Sequence, residues 1–402
     1  MNKALYAGLS STFAHQAKMD VAANNLANVS TVGYKASRVS FQDAFYQTLR
    51  AARPSMGGQG STSALQVGSG VSVGGINTIN SQGTLEYSGQ ALDAAIDGAG
   101  MFILNGDEGQ VYTREGIFRI DGTNNLVMAS TGLRVQGWSA VNDVIDTNGP
   151  IGDLSFALRT MRSPKPTDDV VLEGNLNSAA AVGDTYNASV TVYDSLGDAH
   201  ELSVVYTKTA TNAWDVTATC EGTSVTGAVT FDATGALTAG GTLSLTAVMP
   251  NGAANLVLNI DTTAATQYAG SNDVVPTEQN GYPGATLLGV SIADGGVVIG
   301  TYSDGRSAPL ARLALATFPN VDGLERKGDN LYSTSAASGL AQTGAPGSAG
   351  LGNIAGQAVE MSNTDLTSAF LEMLVTQRAY QASTRVISTA NELIEEAIRM
   401  TQ

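Results

Sequence analysis

Apolar positions recur in two rhythms along this chain, and the change of rhythm divides it. Leu366, Phe370, Met373, Gln377, Tyr380, Thr384, Ile387, Asn391, Ile394 and Ile398 follow one another in alternating steps of four and three. That is the 3.5-residue repeat of a helix that supercoils with a partner. Ser362-Asn363-Thr364-Asp365 precede it with the oxygen-bearing side chains that cap a first helical turn. At the other end Leu5, Leu9, Thr12, Gln16, Met19, Ala23 and Leu26 keep the same alternation, with Phe13 and Ala22 beside the stripe. The two ends are therefore expected to pair as a coiled coil, projecting as a rod of roughly 37 Å and 57 Å segments at about 1.5 Å per residue. Gln377, Thr384, Asn391, Thr12 and Gln16 occupy seam positions where a stable pair would carry Leu or Ile. Such helices should fray in a lone chain and order fully when neighbouring copies add burial.

Between the ends the period falls to two. Val190 and Val192 alternate with Ser189 and Thr191, a turn at Ser195-Leu196-Gly197-Asp198 follows, and Leu202, Val204 and Tyr206 alternate again, which predicts a β-hairpin. Short runs at Trp214–Val216, Ala228–Phe231, Leu243–Leu245 and Leu256–Ile260 continue the pattern, as in a barrel or sandwich. A second β unit is split around it, with Phe102–Leu104, Tyr112, Phe118–Ile120 and Leu126–Met128 before and Leu287–Val290, Val297–Ile299 and Leu313–Ala316 after. Helix breakers agree. All ten prolines lie between Pro54 and Pro346, and of 46 glycines only Gly8 and Gly33 precede that span while none follows Gly356.

The expected architecture is a multidomain α+β protein. Residues 1–34 and 357–402 form the terminal helical domain and 35–75 an extended connector rich in Gly, Ser and Pro from Ala51 onward. Residues 76–145 and 282–356 form a split β domain, and 146–281 a β domain inserted in it.

Charge narrows the function. Twenty cations against 36 anions give a net charge of −16, which repels nucleic acid and anionic headgroups alike. Charged residues make up only 14% of the chain, so a surface of Ser, Thr, Asn, Gln and Gly is expected. The single Cys220 forbids an internal disulfide, and His15 and His200 do not make a His-rich metal site. No run reaches the roughly 18 apolar residues of a membrane span. The start, with Lys3 and Ala4–Leu9, is interrupted at once by Ser10, Ser11 and Thr12, so export without a cleaved leader is expected.

Enzyme signals are weak. Gly70-Val71-Ser72-Val73-Gly74 matches G-x-S-x-G, yet no helical pattern follows and Val71 and Val73 alternate as in a strand. Asp107-Glu108, Asp168-Asp169 and Glu395-Glu396 read as solvated faces, and Cys220 falls in an alternating segment as a packing residue. No phosphate-binding glycine motif opens a helix after a strand. The expectation is a protein that is not an enzyme and needs no cofactor or metal.

Asn24-Asn25-Leu26-Ala27-Asn28-Val29-Ser30-Thr31-Val32-Gly33-Tyr34-Lys35 resembles the signature of the rod, hook and hook-associated axial proteins of the bacterial flagellum. Physically the segment closes a helix, with Gly33 free to take positive φ. Val67–Val71, Ala91–Phe102 and Tyr112–Phe118 are similar to the β region of that class, and Gln377-Arg378-Ala379-Tyr380-Gln381 to its last helix. Val192–His200 resembles a hairpin of the family's hook members, and Asn280–Gly284 the return from the inserted domain.

The resemblance implies a structural subunit of the flagellar hook, located outside the cell and polymerised into a hollow, flexible tube that passes torque from rod to filament. It implies export through the flagellar type III apparatus, and contacts with the rod, the hook cap and the hook–filament junction proteins. Paired terminal helices would line the inner tube, the split β domain would form a middle layer and 146–281 an outer one. Self-assembly would rest on Leu5, Leu9, Met19, Leu26, Leu366, Phe370, Met373, Tyr380, Ile387, Ile394 and Ile398. The family motif would contribute Asn24, Asn25, Ala27, Asn28, Gly33, Tyr34 and Lys35. A distal rod protein shares the ends but not the inserted hairpin. A β-rich surface adhesin would explain the Ser/Thr-rich strands but not two heptad ends.

Overall fold

The computed structural model describes residues 2–53, 63–106, 109–348 and 350–400. Helix α1 (Asn2–Ala27) and helix α2 (Leu366–Arg399) stand at the two ends, and the body between them is mostly β-strand. Apart from Gly8 in α1, neither helix holds a Gly or Pro. The α2 cap is Asp365, whose carboxylate accepts from the backbone N–H of Thr367 at 2.8 Å and of Ser368 at 3.4 Å. Those bonds satisfy orphan donors and place a negative charge at the positive end of the helix dipole. Hydroxyls inside the helices bond back one turn: Thr12 to the Gly8 carbonyl, Thr376 to Glu372 and Ser383 to Ala379. These three hydroxyls therefore have partners within their own helix.

The stretch expected as an extended connector, 35–75, instead folds into two antiparallel pairs, the last strand running on to Thr78. Strand β1 (Ser37–Asp43) runs antiparallel to β4 (Val71–Thr78), and β2 (Tyr46–Arg50) to β3 (Leu65–Gly68). Val39 lies opposite Ile76 and Phe41 opposite Val73, cross-strand apolar pairs of the kind that fix a ladder. Composition pointed to a linker because glycines and serines dilute this alternation. The Gly- and Ser-rich residues 54–62 lie outside the described ones.

The chain divides into two compact units. The first comprises Met1–Phe156, Val290–Gly300 and Ala308–Gln402. Its β body is built on Met101–Gly106, paired with Gly109–Thr113 on one side and with Arg134–Ser139 and Leu315–Thr317 on the other. Phe102, Ile103, Leu104, Leu126 and Met128 are fully buried there, and the Phe102 and Phe118 rings meet edge to face at 5.1 Å. Two short ladders bring the chain back toward α2. Ala94–Asp97 pairs with Asn353–Gly356, and Leu85–Tyr87 with Ala358–Glu360.

The second unit, Ala157–Gly289 with Thr301–Ser307, holds two sheets over one core. One runs Thr185–Tyr193, Ala199–Ala210, Ala213–Cys220, Thr223–Phe231 and Leu237–Ala239, each strand antiparallel to the next. The other centres on Asp169–Asn177, which pairs parallel with Leu256–Asp261 and Ala265–Tyr268 and antiparallel with Val275–Gln279. Leu202, Val204, Tyr206, Trp214 and Val216 from the first sheet and Leu172, Leu176 and Leu258 from the second are all fully buried in one cluster. The period-two alternation thus becomes a closed sandwich core.

Candidate assembly site

The two helices lie antiparallel. Ser11 and Ser383 share a hydrogen bond at 2.8 Å, Lys18 Nζ meets Glu372 Oε1 at 3.0 Å, and Gly8 faces Ile387. A Cβ on Gly8 would stand 3.0 Å from Ile387 Cγ1, so the absent side chain sets how near the helices come.

The buried residues of α2 are Ala369, Thr376, Ser383 and Ala390, one every heptad. Met373, Tyr380, Ile387 and Ile394 alternate with them and are half-buried. The expected seam is therefore displaced at every second position. Ala369, Thr376, Ser383 and Ala390 stand where Phe370, Gln377, Thr384 and Asn391 were anticipated, because small side chains let the backbones approach and large ones do not. On α1, Leu5, Met19 and Leu26 are half-buried, while Leu9 is exposed and Gly8, Ala14, Ala22 and Asn25 are buried. Other large apolar groups turn outward: Leu366, Phe370, Leu371, Val375, Leu393 and Ile398 on α2, and Tyr6 and Phe13 on α1, are each more than half exposed.

The motif from Asn24 to Lys35 builds the root of α1. Asn25 is buried; its side chain donates to the Ser37 carbonyl at 2.7 Å and accepts from Ser37 N–H at 2.9 Å and from the Tyr34 hydroxyl at 3.1 Å. Asn28 donates back to the Asn24 carbonyl and accepts from the Thr31 hydroxyl, each at 3.0 Å. Ala27 is exposed. Gly33 has φ 72°, and a Cβ there would fall 2.6 Å from the Glu115 nitrogen, so both conformation and space demand glycine. Tyr34 is buried, and the Arg326 guanidinium lies over its ring at 5.7 Å and donates to the Lys35 carbonyl at 2.6 Å. An open pocket of about 610 Å³ beside this root is lined by Asn24, Asn28, Tyr34, Glu115, Arg326 and Asn330 among others.

Lys35 is buried and donates to Glu360 Oε1 at 2.6 Å and to the Ser81 carbonyl at 2.9 Å. Burial pushes its ammonium below the ordinary lysine range, against the pull of Glu360. Asn363 joins the same knot, accepting from Ala36 N–H at 2.8 Å and donating to the Ile79 carbonyl at 2.7 Å. Glu360 carries no motif of its own, and Asn363 is marked only as part of the Ser362–Asp365 capping signal.

In the second unit the Val192–His200 segment closes as a five-residue loop between Tyr193 and Ala199. Asp194 Oδ1 accepts from the N–H groups of Leu196 at 2.8 Å and Asp198 at 2.9 Å. Its Oδ2 takes Asn251 and, at 3.2 Å, His200, whose other ring nitrogen lies 3.0 Å from Glu221. Burial opposes ionisation of Asp194, but the bonds from Asn251, His200 and the turn backbone outweigh it and hold the carboxyl at about 2. Burial likewise opposes charge on His200, and Glu221 and Asp194 raise it above its ordinary range regardless.

Ser72 lies within β4 opposite Gln42, not on a strand-to-helix turn. Cys220 ends a strand with its thiol buried, and burial together with Glu221 pushes it up. Among the described residues no helix is long and apolar enough to cross a membrane.

Four family profiles match successive parts of the chain. They are the flagella basal body rod protein family over residues 5–35, the flagellar hook protein FlgE/F/G D1 domain over 95–165, the flagellar basal body protein FlaE D2 domain over 164–282, and the flagellar basal body rod FlgEFG protein C-terminal family over 355–400. The chain is 33% identical to the flagellar hook protein FlgE of Borreliella burgdorferi across 440 residues, with both chains fully covered. It is 30% identical to that of Treponema pallidum across 461 residues, again with full coverage of both. To that of Salmonella typhimurium it is 32% identical, over 95% of this chain and 96% of the relative. The crystal structure of Helicobacter pylori flagellar hook protein FlgE2 matches with a TM-score of 0.54 at 14% identity, over 67% of this chain and 99% of that one. That last likeness is one of fold.

Proposed function

The chain belongs to the flagellar hook protein family, and from that premise we propose that copies of it pack helix against helix into the hollow tube of the hook. It is a structural subunit of that hook. The supporting observation is the row of large apolar side chains that α1 and α2 leave uncovered while pairing through small ones. Such a surface needs other copies to bury it, and contacts that repeat without closing generate a helical filament.

In this reading 1–34 and 357–402 form a coiled-coil inner tube, 76–145 and 282–356 a middle layer, and 146–281, nested within it, an outer layer, with 35–75 between helices and β body. The self-assembly residues are the eleven expected from sequence, with Leu9, Leu366, Phe370 and Ile398 now on the outward face. The tube serves outside the cell as a universal joint between rod and filament. The subunit reaches it through the flagellar type III channel and meets the rod, hook cap and junction proteins at its ends. A polar outer surface suits bending, since water-mediated bonds exchange without exposing large apolar patches.

Replacing Phe370, Leu371 and Val375 together by Ser in the full chain tests the reading. A soluble monomer with unchanged β-sheet circular dichroism that forms no tubes is expected. Tubes of wild-type appearance would refute it.

A further inference from the structure

Glu360 stands six residues before α2 begins, in the strand that pairs with Leu85–Tyr87. It is 1% exposed. Its backbone carbonyl accepts from Gly33 N–H at 2.7 Å, just past the end of α1. Oε1 takes the Lys35 ammonium at 2.6 Å and the Gly83 N–H at 2.9 Å, and Oε2 takes the Arg114 guanidinium at 3.2 Å. Arg114 in turn donates to the carbonyls of Ile96 at 3.3 Å and Gly98 at 2.6 Å, in the β body. One carboxylate therefore ties the exit of α1, the entry of α2 and the β body.

A buried ion cluster is a poor source of stability, since well-packed apolar groups of equal volume usually serve as well or better. What it supplies is direction: two oxygens, each with its own cation, accept only one orientation. We infer that Glu360, Lys35 and Arg114 form a pin that fixes the angle at which both terminal helices leave the β body, so that a torsional load on one is carried to the other. Gly33, whose carbonyl-facing N–H reaches Glu360 and whose bare Cα rests on the Arg114–Glu115 backbone, keeps the same contact from the α1 side.

The inference rests on the hook-subunit reading for its mechanical readout, and the test separates the two. The full chain is prepared as Glu360→Gln, which strands both cations, and as the combined Lys35→Met, Arg114→Met, Glu360→Leu, which keeps the volume and removes every charge. Urea unfolding of the monomers and the persistence length of polymerised tubes, from electron micrographs, are measured for each. The single variant is expected to lower the unfolding midpoint. The combined variant, which also takes these partners from the Gly83 N–H and the Ser81, Ile96 and Gly98 carbonyls, is expected to lower the midpoint as well and still to polymerise, but to give tubes of shorter persistence length and uneven curvature. Tubes of the combined variant with wild-type stiffness and curvature would overturn the pin while leaving the subunit reading intact. Wild-type chains that form no tubes would instead overturn the subunit reading.

Discussion

The sandwich of the second unit and the pair of terminal helices treat their largest apolar residues in opposite ways. In the sandwich Trp214, Tyr206 and Leu202 are fully enclosed by strands of their own unit. In the helices Phe370, Leu371 and Val375 point away from the partner, and Ala369, Thr376, Ser383 and Ala390 take the contact. The first element encloses its own large side chains, and the second leaves many of its own on the surface. Location of the large side chains, more than overall hydrophobicity, separates a folding core from an assembly surface.

The comparison breaks most sharply at Trp214. Its indole nitrogen donates to Gln267 at 2.9 Å inside the core, so Trp214→Ala should cost about 3–5 kcal/mol. Calorimetry should record a lower transition for the second unit with the helical signal unchanged. Next in size, Ser383→Leu inserts bulk where Ser11 and the Gly8 backbone approach, at a cost of about 1–3 kcal/mol. Loss of helical ellipticity, with the sandwich unaffected, is the expected result.

Acid should reach the sandwich by a separate route. The Asp194 carboxyl is held down to about 2, below its unfolded value near 3.9. Its contribution of roughly 2 kcal/mol is therefore whole above about pH 4 and lost as pH falls toward 2. His200 works in the other sense: raised by its carboxylate partners, it contributes fully below about 6.5, the unfolded value, and progressively less as pH rises through its folded value. Denaturant midpoints between pH 2 and 9 should flatten between those limits, and Asp194→Asn should shrink the acid limb, leaving the part set by Asp232 and the other lowered carboxyls. The smallest effect belongs to Asp365→Ala, which deletes the α2 cap for about 1 kcal/mol. It should lower the helical signal at 222 nm in monomers and raise the concentration at which tubes first appear.

Much of this was legible in the sequence, and the failures share a cause. The alternation of Leu202, Val204 and Tyr206 survived into the sandwich because the buried positions of its strand are apolar apart from Lys208, while those between them are polar apart from Val205. The α2 seam was displaced because a hydrophobic pattern weights Phe370 over Ala369, whereas close helix contact favours the smaller residue. In 35–75, glycine-rich composition masked the Val39–Ile76 and Phe41–Val73 pairs that make it a ribbon. The Lys35–Glu360 contact spans 325 positions, a distance across which no local spacing rule operates. Lys35 was visible only as the last letter of a motif, and its partner not at all.

The central claim is that the terminal helices reach full order only among copies. Amide hydrogen exchange, measured on dilute monomer and on polymerised tubes, tests it most directly. Residues 366–399 should exchange far faster than 202–206 in the monomer and become protected to a comparable degree in the tube. Equal protection of both segments in the monomer, unchanged on raising the concentration and with no tubes formed, would contradict the account.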